Sequence, residues 1–467
     1  MANVTIFGAG YVGVPTGAHF SRTHKVTIYD PDANKVATIT KVIDGSSEAL
    51  HIHEKGLIEL LRENKNNITV TTDIEKALDK PEIIFIAVGT PPNEKGRANL
   101  KYVKSAAEQI AKYSKNDCVV LNKSTVPPGT AYMVKEIIDN NLVNKVKISV
   151  GSCPEFLAEG TAVEDLRTPD RIVFGCDDKE ALEKVSEFFL YLHGRSTLSP
   201  MSTLSSEITK YAANALLATK ISYMNSLAML CDAVGANIRE VQEGVGKDQR
   251  IGRKFLNASM GYGGSCFPKD TSAIAEYGRL FNSPLEIIEA TIAVNNKTTS
   301  YFTSKIIEIF GNDLTGKNFI VWGIGFKART DDLRESKPVE VARELMDKGA
   351  HVHLYDTVKG ALDNFVTENP VYVGKYTIHT AQYGMVSETI DALIIGNEHE
   401  KFRNPDVDLL SVMRGKYIFD GKNILNNYLI KDLKAKNFIY KSIGKDAVAN
   451  EINKEKLVDF LKNEYMD

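Results

Sequence analysis

Residues 261–270 combine a thiol, an ammonium group and a carboxylate in one short segment. The segment reads Gly-Tyr-Gly-Gly-Ser-Cys-Phe-Pro-Lys-Asp, so that Lys269 and Asp270 closely follow Cys266. Glycines let a backbone approach a ligand closely, and a nearby lysine stabilises a thiolate, which is the reactive form of cysteine. The segment therefore predicts a nucleophilic thiol at Cys266.

The remaining cysteines have no such surroundings. A free cysteine is more often a small buried hydrophobe than a nucleophile. We expect this of the other four, which are Cys118, Cys153, Cys176 and Cys231. Their spacing is also not that of a zinc site or a disulfide framework, so we expect no metal.

A glycine fingerprint near the start of the chain predicts a cofactor site. Gly8, Gly10 and Gly13, with Tyr11 and Val12 between them, directly follow the β-branched run 4–7. This pattern brings backbone amides and a helix N-terminus towards a pyrophosphate. The alternative is that the glycines only form a tight strand-to-helix turn.

Asp30 strengthens the cofactor interpretation, because it follows the second predicted strand. A carboxylate there accepts hydrogen bonds from ribose hydroxyls and repels a 2′-phosphate, which favours NAD over NADP. A thiol beside bound NAD has a specific use: it captures an aldehyde as a thiohemiacetal, which loses a hydride and becomes a thioester. Water then releases an acid.

Two further polar residues lie in a long helical pattern. Lys210 and Asn214 are four residues apart and therefore share a helix face, where both could donate to one oxygen. Judged from periodicity alone, a solvated surface lysine is the more common outcome.

The elements that must position these groups follow from the hydrophobic pattern. Up to about residue 200, short β-branched runs alternate with helical patterns, which predicts a parallel, doubly wound sheet. An alanine-rich stretch from Ser205 to Gly235 predicts one long helix. The order strand, glycine turn, helix, strand and aspartate occurs at 4–30 and again at 319–356. We expect an α/β fold with two Rossmann-like doubly wound domains joined by a long central helix.

Composition excludes some classes of partner. The 467 residues are 43% hydrophobic and 25% charged, and 57 basic against 60 acidic side chains leave a net charge of -3. Nothing in this balance indicates a nucleic-acid or membrane partner. The N-terminus has neither a basic leader nor a long apolar stretch, so we expect a cytoplasmic protein.

The chain resembles the UDP-glucose dehydrogenase family, within the wider UDP-glucose/GDP-mannose dehydrogenase superfamily. Besides the segments above, the resemblance rests on the motifs at 87–92, 124–130, 154–160, 210–214 and 323–327. It implies an NAD-dependent, four-electron oxidation of UDP-glucose to UDP-glucuronate. It also implies three domains, which are 1–203 for NAD binding, 204–300 for the dimer contact and the catalytic loop, and 301–467 for UDP-sugar binding.

The resemblance implies roles for individual residues. Cys266 would be the covalent nucleophile, Lys210 and Asn214 would hold the oxyanion, and Asp270 would transfer protons through a water. Glu159 would be the base for thioester cleavage. Further implied cofactor contacts are Lys35, Thr90, Thr125, Lys269 and Arg334, and Thr125 also matches a position near the hydrolytic water.

The same resemblance implies the substrate contacts. Arg250 matches an arginine that reaches the sugar site of a neighbouring subunit, so we expect a homodimer or a higher homo-oligomer. Lys422 stands where the family commonly has arginine, and lysine cannot form a bidentate fork. The other implied contacts are Glu155, Phe156, Leu157, Glu159, Lys210, Asn214, Phe255, Leu256, Asn257, Ser259, Gly263, Phe326 and Lys327.

Three alternatives stay open at this point. GDP-mannose is a possible substrate, because that branch keeps a Gly-Gly-Ser-Cys loop, whereas Phe156 disfavours the UDP-N-acetylmannosamine branch. A β-hydroxyacid dehydrogenase would need no nucleophilic cysteine and would stop after one hydride. A non-catalytic NAD-binding scaffold would turn over no nucleotide sugar.

Overall fold

The computed structural model describes residues 1–47, 50–52, 54–91, 98–445 and 458–463. The chain forms two compact units, Met1–Ala213 and Asn214–Asp467. Each unit contains its own sheet and its own hydrophobic cores.

The first unit contains an eight-stranded sheet within the described residues, in the order β3-β2-β1-β4-β5-β6-β7-β8. Its strands are β1 (Asn3–Phe7), β2 (Lys25–Tyr29), β3 (Ile68–Thr71), β4 (Ile83–Ile86), β5 (Cys118–Asn122), β6 (Ile148–Ser152), β7 (Ile172–Cys176) and β8 (Leu198–Met201). Every neighbouring pair is parallel except β6 and β7. The predicted parallel sheet is thus confirmed from β1 to β6, and the antiparallel pair departs from it.

Helices cover both faces of this sheet. They are α1 (Gly13–Phe20), α2 (Ala33–Ile43), α3 (Leu57–Glu63), α4 (Ile74–Ala77), α5 (Lys101–Tyr113), α6 (Thr130–Asn141), α7 (Ala162–Arg167) and α8 (Lys179–Leu190). Alternate residues of β1, β2, β4 and β5 pack into two separate cores, one on each face, as in a doubly wound fold. The strand order reverses between β1 and β4, where folds of this type bind nucleotides.

The predicted long helix is α9 (Thr203–Val234). It starts in the first unit and continues into the second, and Gly235 follows it with a φ of +77°. A glycine in the left-handed region is the usual way to end a helix, so the predicted end is confirmed.

The second unit first adds α10 (Ile238–Gly246), α11 (Phe267–Leu280) and α12 (Glu286–Phe310). A parallel sheet then forms in the order β11-β10-β9-β12-β13-β14. Its strands are β9 (Asn318–Trp322), β10 (His351–Tyr355), β11 (Tyr376–Ile378), β12 (Ala392–Ile395), β13 (Tyr417–Asp420) and β14 (Ile439–Ser442). The helices associated with it are α13 (Lys337–Asp347), α14 (Lys359–Glu368), α15 (Val407–Leu410) and α16 (Asn427–Ala435).

The expected fold class is confirmed: two α/β domains with doubly wound sheets, and a long helix between them. Within the described ranges, no helix has both the length and the apolar character needed to cross a bilayer.

Candidate active site

The three fingerprint glycines have different structural roles. A Cβ on Gly8, whose φ is +110°, would lie 2.4 Å from the Ala87 carbonyl oxygen, and a Cβ on Gly13 would lie 1.9 Å from the Gly8 oxygen. These two positions are therefore needed for the turn and for packing. Gly10 has open space around the missing Cβ, so this glycine leaves room for a pyrophosphate at the start of α1.

Asp30 is buried directly beneath this turn. Its Oδ2 accepts a hydrogen bond from the Ala9 amide at 2.8 Å, and its Oδ1 accepts one from the Asp32 amide at 2.9 Å. Lys35 places its Nζ 3.7 Å from Oδ2. The carboxylate thus shapes the glycine turn and lies at the end of β2, where NAD would present its ribose.

The second unit repeats this arrangement. Asp356 follows β10, and its Oδ2 accepts hydrogen bonds from the amides of Ile324 and Gly325, at 2.8 and 3.1 Å. The sequence predicted an internal repeat of strand, turn, helix, strand and aspartate. The structure confirms it, because Asp30 and Asp356 each accept a hydrogen bond from the amide that follows the first glycine of the turn.

Thr90 and Thr125 lie together at the carboxyl edge of the first sheet. They follow β4 and β5, two neighbouring parallel strands, and the Thr90 hydroxyl donates to the Thr125 carbonyl oxygen at 3.0 Å. Tyr11 is exposed and Val12 is partly buried in the turn before α1. These positions share the sheet edge with Gly10 and Asp30, so the first unit groups most of the predicted cofactor residues.

Glu155 and Lys210 form a buried ion pair in the first unit. Lys210 Nζ lies 3.0 Å from Glu155 Oε1, and the side chains are only 5% and 9% exposed. Burial alone would raise the pKa of Glu155, but the Lys210 charge and the Leu157 amide, 2.6 Å from Oε2, outweigh it and lower that pKa. Lys210 is therefore not a solvated surface lysine, and its partner is one of the predicted sugar contacts.

Two cations lie close to the Phe156 ring. The Arg171 guanidinium carbon is 3.9 Å from the centre of this ring, and Lys210 Nζ is 5.5 Å from it. Sequence reasoning missed Arg171, because it belongs to no motif and reaches Phe156 only through the fold. Glu159 is partly buried in the loop between β6 and α7.

Cys266 is exposed in the second unit, whereas Cys118, Cys153, Cys176 and Cys231 are buried. The predicted contrast between the cysteines is confirmed. Cys266 is the N-cap residue of the fourteen-residue helix α11, and its Sγ lies 3.6 Å from the Ser265 hydroxyl. An accessible sulfur at the positive end of a helix dipole meets two conditions for a reactive thiol.

Asp270 is fully buried one turn after Cys266, and two predicted residues contact it. Its Oδ2 accepts a hydrogen bond from Asn214 Nδ2 at 2.6 Å, and its Oδ1 pairs with the Lys269 ammonium group. We expected Lys269 to stabilise the thiolate, whereas the structure places its ammonium group on Asp270. Within the second unit, Asn214 and Lys269 both contact Asp270, so the three side chains form one polar cluster.

Gly263 and Gly264, which precede Cys266, allow other segments of the second unit to pack closely against this loop. A Cβ on Gly263 would lie 2.0 Å from the Glu335 carbonyl oxygen, and one on Gly264 would lie 2.5 Å from the Phe326 ring. The Gly264 amide also donates to the Arg334 carbonyl oxygen at 3.0 Å. We expected these glycines to admit a ligand, but the space beside their Cα atoms is filled by residues 326–336. The correction follows from packing that the local sequence does not reveal.

The predicted substrate loop has both buried and exposed members. Phe255 adopts a φ of +64° and is exposed, as is Asn257, which accepts a hydrogen bond from Gln242. Ser259 is buried, and its amide donates to Asn225 at 2.8 Å. Leu256 packs in the hydrophobic core, so only its backbone is placed to meet a ligand.

Other predicted residues of the second unit form separate pairs. Lys327 Nζ lies 5.4 Å from the centre of the Phe326 ring. The Arg250 side chain is 89% exposed and pairs with Asp248, and that of Arg334 is 64% exposed and pairs with Asp332.

Lys422 pairs with Glu398, a residue that the sequence analysis did not identify. Lys422 Nζ is 3.6 Å from Glu398 Oε2, and the lysine side chain is mostly buried. Burial raises the pKa of Glu398, but the Lys422 charge and the backbone hydrogen bonds, including that from the Ala328 amide, together outweigh burial and lower it. Among the residues that the structure describes, no cluster of His, Cys, Asp or Glu could hold a metal ion.

Comparison with known proteins identifies the family. Residues 2–193 match the NAD binding domain of the UDP-glucose/GDP-mannose dehydrogenase family, 204–297 match its central domain and 320–427 match its UDP binding domain. The chain belongs to this family. The turn at Gly10 and the carboxylate of Asp30 lie within its NAD binding domain, and their geometry fits that cofactor.

Relatives in the family resemble the chain over nearly its whole length. The UDP-glucose 6-dehydrogenase YwqF of Bacillus subtilis is 38% identical over 96% of this chain and 98% of its own. A UDP-glucose 6-dehydrogenase of Rhizobium meliloti is 39% identical over 95% and 99%. The structure of a UDP-glucose dehydrogenase from Pyrobaculum islandicum superposes with a TM-score of 0.84 at 33% identity, over 95% of this chain and 98% of that one.

Proposed function

We propose that this protein is a UDP-glucose 6-dehydrogenase, which oxidises the C6 alcohol of UDP-glucose to the carboxylate of UDP-glucuronate. The observation that carries the proposal is the exposed Cys266 at the start of α11, in a chain that resembles UDP-glucose 6-dehydrogenases almost end to end. NAD, which the turn at Gly10 and the Asp30 carboxylate would hold, would accept one hydride in each of two oxidation steps.

Each step has a role for residues of this chain. The alcohol first loses a proton and a hydride and becomes an aldehyde. The Cys266 thiolate adds to the aldehyde carbon, and loss of a second hydride from the thiohemiacetal leaves a thioester. Water cleaves the thioester and restores the thiol, so one sugar delivers four electrons to two NAD molecules.

The charged groups serve the oxyanions and the protons. Lys210 and Asn214 are the donors to the oxygen that becomes negative in each tetrahedral state, and one such donor contributes roughly 3 kcal/mol. Asp270 passes protons through a water, and Glu159 activates the water that cleaves the thioester. The ion pair of Lys210 with Glu155 supports this assignment, because the carboxylate compensates the charge of a buried ammonium group.

We further propose three functional parts in the chain. Residues 1–203 bind NAD, 204–300 provide the catalytic loop and the subunit contact, and 301–467 bind the UDP-sugar, with Lys327 and Lys422 as phosphate or sugar contacts. The family domains matched at 2–193, 204–297 and 320–427 support this division.

We propose that the enzyme acts as a homodimer or a larger homo-oligomer through α9. Leu216, Tyr223 and Leu230 are seven residues apart on this helix, and each is more than half exposed. Such a stripe on one helix face favours pairing with a second copy, and the exposed Arg250 is available to a neighbour. Light scattering of the Tyr223→Lys variant should show a smaller particle than the unsubstituted protein.

The reaction is tested by counting NADH. With limiting UDP-glucose and excess NAD, two NADH per sugar are expected, together with UDP-glucuronate. One NADH per sugar would instead support a two-electron dehydrogenase, and no NADH would support a non-catalytic protein. A parallel assay with GDP-mannose distinguishes the two nucleotide-sugar substrates.

The thiol chemistry is tested by Cys266→Ser, with Cys231→Ser as the matched control at a buried cysteine. Cys266→Ser should abolish release of the acid, and intact-protein mass spectrometry should detect a trapped ester or bound aldehyde. Near-normal turnover of Cys266→Ser would refute the nucleophile assignment.

A further inference from the structure

A buried glutamate contacts the backbone beside Glu159. Glu54 precedes α3 and is 9% exposed. Its Oε1 accepts a hydrogen bond from the Gly160 amide at 2.7 Å, and its Oε2 accepts one from the Ala162 amide at 3.0 Å. Both oxygens of one carboxylate are thus used by amides that follow Glu159 in the chain.

The turn at Glu159 is held by hydrogen bonds from two sides and contains a glycine in the left-handed region. Gly160 adopts a φ of +87°, which reverses the chain immediately after Glu159. On the other side, the Ala158 amide donates to Asp165 Oδ2 at 2.8 Å, and Thr161 donates to the same oxygen at 3.1 Å. Asp165 belongs to α7, the helix that directly follows the turn. Its hydrogen bonds therefore connect the turn only to the adjacent helix.

Glu54 differs from Asp165 because it comes from a distant part of the chain. It ties the turn to the start of α3, whose residues Leu57, Leu60 and Leu61 are packed in the core of the first unit. The carboxylate therefore fixes the turn relative to the body of this unit, and with it the backbone that bears Glu159.

We propose that Glu54 is a positioning residue for Glu159 in thioester cleavage. This inference rests on the proposed function, in which Glu159 activates the hydrolytic water. A carboxylate side chain suits the site because its two oxygens accept hydrogen bonds from two amides at once. A glutamine offers one acceptor, and its NH₂ group would face the second amide, so Glu54→Gln releases one end of the turn. A small misplacement of a catalytic group lowers the rate of the step that it serves without weakening substrate binding.

The experiment compares Glu54→Gln with Glu59→Gln, an exposed glutamate on α3. For Glu54→Gln, we expect kcat to fall at least about tenfold, while the KM for UDP-glucose and the Kd for NAD stay within about twofold. Because only hydrolysis is slowed, rapid mixing should show a burst of two NADH per site. Mass spectrometry of the quenched enzyme should detect the thioester. Glu59→Gln should match the unsubstituted enzyme in all five measurements.

Glu54→Asp keeps both acceptors and should recover part of kcat, and it also provides a test if Glu54→Gln folds poorly. The inference is overturned if kcat of Glu54→Gln is normal. It is also overturned if KM, NAD affinity and burst size change together with the melting temperature, as a purely structural role predicts. Failure of the proposed function itself is distinct, because the unsubstituted protein would then release fewer than two NADH per sugar.

Discussion

The buried ion pair between Lys210 and Glu155 allows a quantitative test. Lys210→Met keeps an unbranched side chain that is one atom shorter, and it removes the charge 3.0 Å from the Glu155 carboxylate. The carboxylate keeps its hydrogen bond from the Leu157 amide but loses its ion-pair partner. Removing one member of a buried pair leaves an uncompensated charge and typically costs about 3–5 kcal/mol of stability.

The size of this loss should depend on pH. Lys210 lowers the pKa of Glu155, so without the lysine the effect of burial dominates and that pKa rises above its value in the unfolded chain. A carboxylate with a raised pKa in the folded state contributes stability at low pH that is lost as pH increases. The Lys210→Met protein should therefore lose more free energy of unfolding at pH 8 than at pH 5.

Urea unfolding followed by circular dichroism at the two pH values provides the measurement. Lys135→Met is the control, because Lys135 pairs with Asp139 on the surface, where such a pair contributes only about 0.5 kcal/mol. The double variant Lys210→Met with Glu155→Gln should be more stable than Lys210→Met at pH 8, since it buries no unpaired charge. A loss below about 1 kcal/mol at pH 8 for Lys210→Met, or no recovery in the double variant, would refute this reasoning.

Three other predictions concern single residues. Gly263→Ala places a methyl group 2.0 Å from the Glu335 carbonyl oxygen and should lower kcat at least about tenfold, whereas Gly244→Ala, with nothing within 4 Å, should leave kcat unchanged. Asp30→Asn should raise the NAD Kd about tenfold and reduce the preference for NAD over NADP in calorimetry; an unchanged preference contradicts the ribose assignment. Burial lowers the pKa of His19 to about 3. The neutral imidazole therefore contributes about 5 kcal/mol to the free energy of unfolding above pH 6.5, and this contribution is lost as the pH falls towards 3. Urea unfolding of His19→Phe should accordingly show a weaker loss of stability in acid than the unsubstituted protein, and an identical pH dependence counts against it.

Much of the fold was predictable because it depends on local patterns. Runs of β-branched residues predicted strands β1, β2, β4, β5 and β6, and an alanine-rich stretch without proline predicted α9 with its end at Gly235. The antiparallel pairing of β7 was not predictable, because a strand pattern has the same appearance in either direction.

The candidate site also has some features that the sequence predicted and others that it did not. Residue types and spacing alone distinguished Cys266 from four buried cysteines and singled out Gly10 and Asp30, which the structure brings together at the turn before α1. Those features depend on residue types and on their spacing within one short stretch of the chain, which the sequence shows directly.

Only the tertiary structure decided which groups face each other across the fold. Glu155 and Lys210 are 55 positions apart, and Glu54 lies 106 positions before Gly160. Each pair meets because packed strands and helices bring distant segments to one point. The charge state of a buried group such as Glu155 is set by that meeting, since burial and an opposite charge act over a few ångströms of space irrespective of separation along the chain.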